Sequence, residues 1–133
     1  MSDLELMQAA ENARKSAYAP YSDFRVGAAL LAASGKVYTG CNIENASFSP
    51  TVCAERIAFF EAVKNGEREF LAIAITGGKA NEKPSFCSPC GVCRQVMAEF
   101  CALDFEIILA KNYDDYQVYT LEQILPLVSL PIK

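Results

Sequence analysis

The amino-acid sequence predicts an α/β fold in which helices cover a mixed β-sheet. The 133-residue chain is 52% hydrophobic, some of its segments have apolar residues at helical spacing, and short β-branched or apolar runs separate those segments. Helical and extended segments alternate along the chain, which is typical of a layered α/β domain. A chain of this length can bury one adequate core, so we expect residues 1–133 to form a single domain.

The first helix is predicted over residues 3–17. Leu4, Met7 and Ala10 recur at helical spacing after Ser2, which is a good N-terminal capping residue. The helix therefore has one apolar face for burial.

A β-hairpin is predicted next. Residues 25–33 are mostly apolar, and residues 37–41 are β-branched and aromatic. Ser34-Gly35-Lys36 supplies turn residues between them.

A second helix is predicted to begin around Ser49-Pro50-Thr51, which has the chemistry of a helix start. Ile57, Phe60 and Val63 follow at helical spacing, and Asn65-Gly66 supplies a stop.

The second half of the chain predicts two more strands and two more helices. Residues 70–76 form a continuous apolar run, which is typical of a strand covered on both faces. Ser88-Pro89 is predicted to open a helix with proline in its first position, and residues 105–110 are predicted to form a strand. Thr120-Leu-Glu-Gln123 has the spacing of a capping box for a short final helix. The pattern leaves open whether the last two strands are parallel.

Composition narrows the classes of partner. The net charge is -4, and no basic stripe is present that could bind a nucleic-acid polymer. No apolar run approaches the roughly 20 residues of a membrane span, so we expect no membrane partner.

Six cysteines without an export signal indicate a reducing compartment, the cytoplasm by default. Because the chain has no histidine, metal binding and proton transfer must use other side chains.

Two clusters carry the candidate chemistry: Thr51-Val-Cys-Ala-Glu-Arg56 and Cys87-Ser-Pro-Cys-Gly-Val-Cys93. Each lies at a predicted helix start, where free backbone NH groups and the helix dipole favour thiolate. Cys53, Cys90 and Cys93 are therefore candidate zinc ligands. Positions 90 and 93 share a helix face, so both sulfurs can reach one ion.

Three protein ligands leave one coordination position for water, which is the design of a catalytic zinc site. Glu55 lies two residues after Cys53. Viewed alone, such a glutamate is an ordinary residue of a first helical turn. A carboxylate close to the metal can serve as general base and then general acid, so we expect one Zn²⁺ per chain with Glu55 as the proton shuttle.

Cys53-Ala54-Glu55, taken with Pro89-Cys90-Gly91-Val92-Cys93, resembles the signature of the zinc nucleoside and nucleobase deaminases. Cysteine in place of the usual opening histidine is typical of the small homotetrameric cytidine deaminases. Ala19–Ala29 and Asn42–Ala46 also resemble that family, so the likeness covers nearly the whole chain.

The resemblance implies a three-layer cytidine deaminase-like fold with about five strands. It also implies hydrolytic attack on C4 of cytidine and 2'-deoxycytidine, with ammonia released and uridine or 2'-deoxyuridine left as product. Such a reaction belongs to pyrimidine salvage. The expected partners are the nucleoside substrate and three further copies of the chain.

The resemblance assigns substrate-binding residues as well. It implies that Asn42 and Glu44 bind the ribose hydroxyls and that Phe24 packs against the nucleoside. The Ala54 backbone and the Glu55 carboxylate would read the pyrimidine edge. Without the likeness, Asn42 and Glu44 would be interpreted as turn residues and Phe24 as a core residue.

Arg56 is expected beside the metal ligands. Three thiolates on a divalent zinc leave a net charge of -1, which weakens the Lewis acid. A guanidinium that follows Glu55 on the same helix can bond thiolate sulfur and offset this charge. Considered alone, Arg56 would be a solvated charge on a helix face.

The remaining cysteines have simpler interpretations. Cys41 and Cys101 are expected to be buried apolar residues. Cys87 extends the spacing of an iron–sulfur motif, but the fourth ligand of that motif would fall at Met97. We therefore expect Cys87 near the site but not on the metal.

Two alternative functions stay open. The first is deamination of another aminated nucleoside, such as a nucleoside antibiotic. The second, a structural zinc or iron–sulfur protein, is less favoured because no further cysteine has a standard paired spacing with Cys53.

The resemblance also concerns the subunit interface. In the family, a phenylalanine three residues after a Leu-Pro pair reaches a neighbouring subunit's site, but the count from Leu125-Pro126 reaches Ser129. The aromatic residue is therefore missing here, or another residue replaces it. The candidates for that replacement are Leu127 and Leu130. Helix faces that include Phe59 and Phe60 are expected to be buried between subunits.

Overall fold

The computed structural model describes residues 1–112 and 114–126. In this part of the chain, four helices surround a five-stranded sheet. The helices are α1 (Asp3–Arg14), α2 (Ala54–Lys64), α3 (Gly91–Phe100) and α4 (Leu121–Ile124). The strands are β1 (Phe24–Ala32), β2 (Val37–Cys41), β3 (Phe70–Lys79), β4 (Glu106–Asn112) and β5 (Asp115–Thr120).

The strand order across the sheet is β2-β1-β3-β4-β5. β3 and β4 are parallel, and the other three neighbouring pairs are antiparallel. The expected mixed sheet of about five strands is confirmed. The two strands whose relative direction the sequence left open, residues 70–76 and 105–110, correspond to β3 and β4 and are parallel.

The helices cover both faces of the sheet. On one face, Leu6, Met7 and Ala10 of α1 pack against small and branched side chains of β1, β3 and β4. On the other face, Phe59 of α2 and Met97 of α3 lie in the larger core. The protein therefore has the three expected layers. Among the described residues, no helix is long and apolar enough to cross a bilayer.

The predicted first helix is too long at its C-terminus. Ser2 caps the helix as expected and also forms a capping box with Glu5, but α1 ends at Arg14 instead of residue 17. The chain leaves the helix because Tyr18 is bridged to Ile43.

The segment-by-segment prediction also missed β5. This strand pairs with β4 at the edge of the sheet, and its side chains are mostly exposed. Only the alternation of Tyr116, Val118 and Thr120 indicates it in the sequence.

The predicted start of the second helix is several residues too early. α2 begins at Ala54, because Val52 is held in an antiparallel bridge to Ile43 and Thr51 lies outside the helix. The true start makes Cys53 the N-cap of α2.

The predicted start of the third helix is also wrong. α3 begins at Gly91 with Cys90 as its N-cap, so Pro89 precedes the helix and does not occupy its first position. Both helix starts therefore place a cysteine at the cap.

Gly40 fixes the approach of α2 to the sheet. A Cβ at this position would lie 2.3 Å from the carbonyl oxygen of Ala54 and 2.7 Å from the amide nitrogen of Ala58. Only glycine permits this approach of the two backbones. The first turn of α2 is thereby set against β2, which positions Cys53.

The expectation for Phe59 at a subunit interface is wrong. Its side chain is fully buried inside the chain, where it contacts the rings of Phe70, Phe100 and Phe105. Phe60 is 50% exposed, as an interface residue would be in the isolated chain. The C-terminal positions Leu127, Ser129 and Leu130 lie outside the described residues.

Candidate metal and nucleoside site

Three thiols converge where the N-termini of α2 and α3 meet. The Sγ atoms of Cys53 and Cys90 are 3.6 Å apart, and those of Cys90 and Cys93 are 3.3 Å apart. All three sulfurs lie within 4.8 Å of one another. The sequence thus selected three cysteines that the fold brings together.

The cluster fits a zinc ion. Zinc–sulfur bonds are about 2.3 Å long, so two sulfurs of a tetrahedral site lie roughly 3.8 Å apart. The observed separations are close to that value. The three cysteines form the only metal-competent cluster found among the residues that the structure describes. Three ligands of this type leave a fourth position for water.

The electrostatics of the cluster favour a thiolate at Cys53. Its pKa is lowered, first by interaction with the Cys93 thiol and then by Arg56. The same interaction with Cys53, together with burial, raises the pKa of Cys93. Negative charge therefore collects on the Cys53 sulfur at the N-cap of α2, and this thiolate can bind a metal cation.

Glu55 is buried beside the thiols. The residue is 3% exposed, and this burial raises the pKa of the carboxyl group to about 7. The charge of Cys53 acts in the same direction, while interactions with its own backbone amide and with Cys93 oppose the shift. A buried carboxyl group of this kind can hold or release a proton near neutral pH.

Arg56 reaches back over the first turn of α2. Its Nη2 donates to the Sγ of Cys53 at 3.7 Å and to the carbonyl oxygen of Thr51 at 3.4 Å. The interaction with Cys53 raises the pKa of the guanidinium. The structure thus places Arg56 against a candidate ligand.

A pocket of about 220 Å³ opens beside the thiols. Three of the residues that line it are the proposed substrate-binding residues Phe24, Asn42 and Ala54. Glu55 and two of the thiols, those of Cys53 and Cys90, also line it. The remaining lining residues are Val26, Thr51, Val52, Cys87 and Ser88. Thr51, Val52 and Ser88 belong to the two sequence clusters, but nothing in the sequence assigned them a role in binding. A larger cavity of about 260 Å³, between Met7 and Lys111 on the α1 face, includes none of the thiols.

Asn42 is held by the backbone of β1. Its Nδ2 donates to the carbonyl oxygen of Phe24 and its Oδ1 accepts from the amide of Val26, both at 2.9 Å. An amide group has four hydrogen-bonding positions. Asn42 therefore keeps a donor and an acceptor for a ligand while its orientation is fixed.

Glu44 lies next to this pocket, in a second cavity of about 220 Å³ that shares Thr51 with the first. Its Oε1 accepts from the amides of Tyr21 and Ser22 at 3.0 and 3.1 Å, and its Oε2 accepts from the Ser22 hydroxyl. The bond from the Ser22 side chain is the main cause of its lowered pKa. Ser22, which the sequence analysis did not single out, thus holds Glu44 as a charged acceptor.

The other three cysteines are outside the cluster. Cys41 is half-buried on β2, and Cys101 is buried in the core with its pKa raised to about 12 by burial. Cys87 lines the pocket, and burial raises the pKa of its thiol to about 12 as well. All six cysteines are free thiols.

The comparisons with known proteins agree with this site. The chain matches the family model described as the cytidine and deoxycytidylate deaminase zinc-binding region over residues 1–108. The chain belongs to this family. It is 48% identical to the cytidine deaminase of Sporosarcina psychrophila over 122 residues, which are 92% of this chain and 87% of the relative. The family match and the three-thiol cluster confirm the expected zinc cofactor.

Solved structures confirm the fold. The cytidine deaminase from Burkholderia pseudomallei matches with a TM-score of 0.88 at 44% identity, covering 97% of this chain and 100% of that chain. A more distant relative is the blasticidin-S deaminase of Bacillus cereus, which is 30% identical over 129 residues, 94% of this chain and 90% of the relative.

Proposed function

We propose that the chain is a zinc-dependent cytidine deaminase that converts cytidine and 2'-deoxycytidine to uridine and 2'-deoxyuridine with release of ammonia. The observation that carries this proposal is the buried carboxyl group of Glu55, which lies beside three convergent thiols at one side of a pocket. Relatives of 48% and 47% identity that are named cytidine deaminase support this reaction.

Cys53, Cys90 and Cys93 would hold the metal. When bound, zinc supplies a Lewis acid that makes a water molecule nucleophilic near neutral pH. Arg56, at 3.7 Å from the sulfur of Cys53, offsets part of the negative charge of the three thiolates.

Glu55 carries the protons. Its carboxylate accepts a proton from the attacking water and delivers it to N3 of the ring. The oxygen then bonded to C4 gives up its own proton, and the amino group receives it and leaves as ammonia. One C–O bond forms and one C–N bond breaks, so that water and cytidine give uridine and ammonia.

The other pocket residues bind the nucleoside. Phe24 packs against it, and the backbone of Ala54 reads the pyrimidine edge together with Glu55. Asn42 and Glu44 bind the ribose, which would extend from the first cavity towards the second. A site built to bond a hydroxyl discriminates strongly against analogues that lack it.

A nucleoside-antibiotic deaminase is the second candidate, favoured by the relative that acts on blasticidin S. Asn42 and Glu44 favour cytidine, because both keep polar groups at positions suited to an intact ribose. Purified protein should be mixed separately with cytidine, 2'-deoxycytidine and blasticidin S. Loss of ultraviolet absorbance and release of ammonia with the first two support the proposal, and turnover of blasticidin S alone contradicts it.

We also propose that the enzyme is a cytoplasmic homotetramer in pyrimidine salvage. Large exposed apolar side chains support assembly: Phe48 is 87% exposed, Tyr21 is 62% exposed, and Phe60 is half exposed. The free thiols of the metal cluster favour a reducing compartment. The uridine formed is a nucleoside that salvage can reuse.

A further inference from the structure

Gly77 lies beneath the pocket, at the C-terminal end of β3. A Cβ built on it would lie 2.9 Å from Cε1 of Phe24, 3.0 Å from Cβ of Cys87 and 3.2 Å from the Sγ of Cys87. Side-chain carbons essentially never approach other atoms this closely, so a methyl group here would displace one of the two neighbours. Both neighbours line the pocket.

The backbone of Gly77 cannot retreat to make room. It pairs with Val26 in the antiparallel β1–β3 ladder, and its carbonyl oxygen accepts from the amide of Ser85 at 2.7 Å. Bulk at position 77 would therefore move Phe24 or Cys87 towards the pocket.

The wall formed by these residues is apolar. It consists of the ring of Phe24 and the thiol of Cys87. Burial, with the nearby charges of Glu55 and Cys53, raises the pKa of that thiol to about 12, so it is neutral at physiological pH. Cys87 is thus a small apolar surface next to the metal cluster and does not belong to it.

The chemistry of cytosine indicates which atom meets this wall. C4 must lie at the metal, and its two ring neighbours are N3 and C5. N3 and the amino group need hydrogen-bonding partners, which Glu55 and the Ala54 backbone supply, whereas C5 carries only hydrogen. An apolar wall suits the C5 edge.

We propose that Gly77 and Cys87, together with Phe24, form the wall that faces C5 of cytosine and limits the size of a substituent there. Gly77 determines specificity without touching the substrate, because it lets Phe24 and Cys87 lie back from the ring. This inference rests on the proposed cytidine deaminase function.

The test compares kcat/KM for cytidine and 5-methylcytidine. Cys87→Ala removes part of the wall and should raise the 5-methylcytidine to cytidine ratio about tenfold, since one methyl group in an apolar pocket changes selectivity by that order. Gly77→Ala should lower the ratio by a similar factor. The double variant should recover part of that loss, because the added methyl group occupies space that the sulfur has left.

Two controls isolate the wall. Gly78→Ala adds the same methyl group at the next residue, 3.1 Å from the carbonyl oxygen of Lys83 and on the other face of the sheet, and it should leave the ratio unchanged. Cys87→Ser changes polarity with little change in size and should shift the ratio less than Cys87→Ala. Each Cys87 variant should keep its zinc.

Three results would overturn the inference. In the first, Cys87→Ala shifts the ratio no more than Gly78→Ala does. In the second, the double variant recovers nothing relative to Gly77→Ala. In the third, zinc is lost from Cys87→Ala, which would make Cys87 a ligand. If Gly77→Ala fails to fold, the ratio of kcat/KM for 5-methylcytidine to that for cytidine in Cys87→Ala decides whether the wall exists. If the wild-type chain does not turn over cytidine, both the proposed function and this inference are overturned. If the wild-type chain turns over cytidine but the Cys87 variants behave as listed above, only the inference about the wall is overturned.

Discussion

Arg56 and Cys53 are joined across the first turn of α2, with Nη2 of the arginine 3.7 Å from the sulfur of the cysteine. Side chains three residues apart share a helix face, so the contact follows from the helix start at Ala54. The same nitrogen also donates to the carbonyl oxygen of Thr51, which holds the guanidinium in place. A permanent positive charge thus lies against the thiolate cluster.

Arg56→Gln should slow turnover of cytidine about 10- to 100-fold, because partners of metal ligands commonly contribute that much. Adding Cys53→His should restore part of the rate, since a neutral ligand removes the charge that Arg56 balances. Steady-state kinetics on zinc-loaded variants is the measurement. A silent Arg56→Gln, or a double variant no faster than the single one, contradicts charge compensation.

Glu55→Gln should retain zinc and nucleoside affinity but reduce kcat about 10²- to 10⁴-fold, because only proton transfer is lost. Metal content, KM and kcat should be measured together. Glu61→Gln is the matched control, since Glu61 is an exposed carboxylate on the same helix, paired with Lys64. Near-normal kcat in Glu55→Gln would rule out Glu55 as the shuttle.

The fold class and the metal cluster could be predicted from the sequence because both depend on local patterns. Apolar periodicity located the helices, and the positions of Cys53, Cys90 and Cys93 near helix starts indicated a common ion. The starts of α2 and α3 were misplaced by two or more residues. Proline and small polar residues favour a helix start locally, but the bridge from Val52 to Ile43 keeps the preceding chain extended.

Contacts between distant segments could not be predicted. Ser22 precedes Glu44 by 22 positions, and no periodicity indicates that its hydroxyl binds that carboxylate. Likewise, the space beneath Phe24 depends on Gly77, which only the β1–β3 register brings near it. Such features arise from the sheet register and not from the local sequence.

Purified protein should contain one zinc per chain, because three thiolates converge without a fourth thiol in the cluster. Cys53→Ala should lose most of this zinc, whereas Cys41→Ala, which changes a half-buried thiol outside the cluster, should keep it. The measurement is the zinc content per chain, determined by elemental analysis of the wild type and both variants purified without added metal. Iron in place of zinc, or full zinc in Cys53→Ala, would contradict the assignment.

Sedimentation at micromolar concentration should give the mass of a tetramer. Phe48→Ser should weaken the assembly, since its ring is 87% exposed in the isolated chain and needs a partner surface. A wild-type monomer would contradict the proposed assembly and any contribution of a neighbouring subunit to the pocket.

Arg94 links the segment that precedes Cys90 to helix α4. Its Nε donates to the carbonyl oxygen of Pro89 at 2.8 Å, directly before Cys90, and its Nη1 donates to that of Ile124 at 2.5 Å. Its Nη2 is 3.4 Å from the hydroxyl oxygen of Ser88, which lines the pocket. One planar guanidinium therefore orients a ligand-bearing loop and a pocket residue together.

Arg94→Lys keeps the charge but loses the fork of donors, so we expect it to raise KM for cytidine and weaken zinc retention about 10-fold or more. Arg68→Lys is the control, because exposed Arg68 also bonds two carbonyl oxygens, those of Val63 and Glu67, but lies away from the pocket. Thermal unfolding of both variants separates stability from function. If Arg94→Lys lowers only the Tm, with zinc affinity, KM and kcat unchanged, Arg94 stabilises the fold without positioning the site.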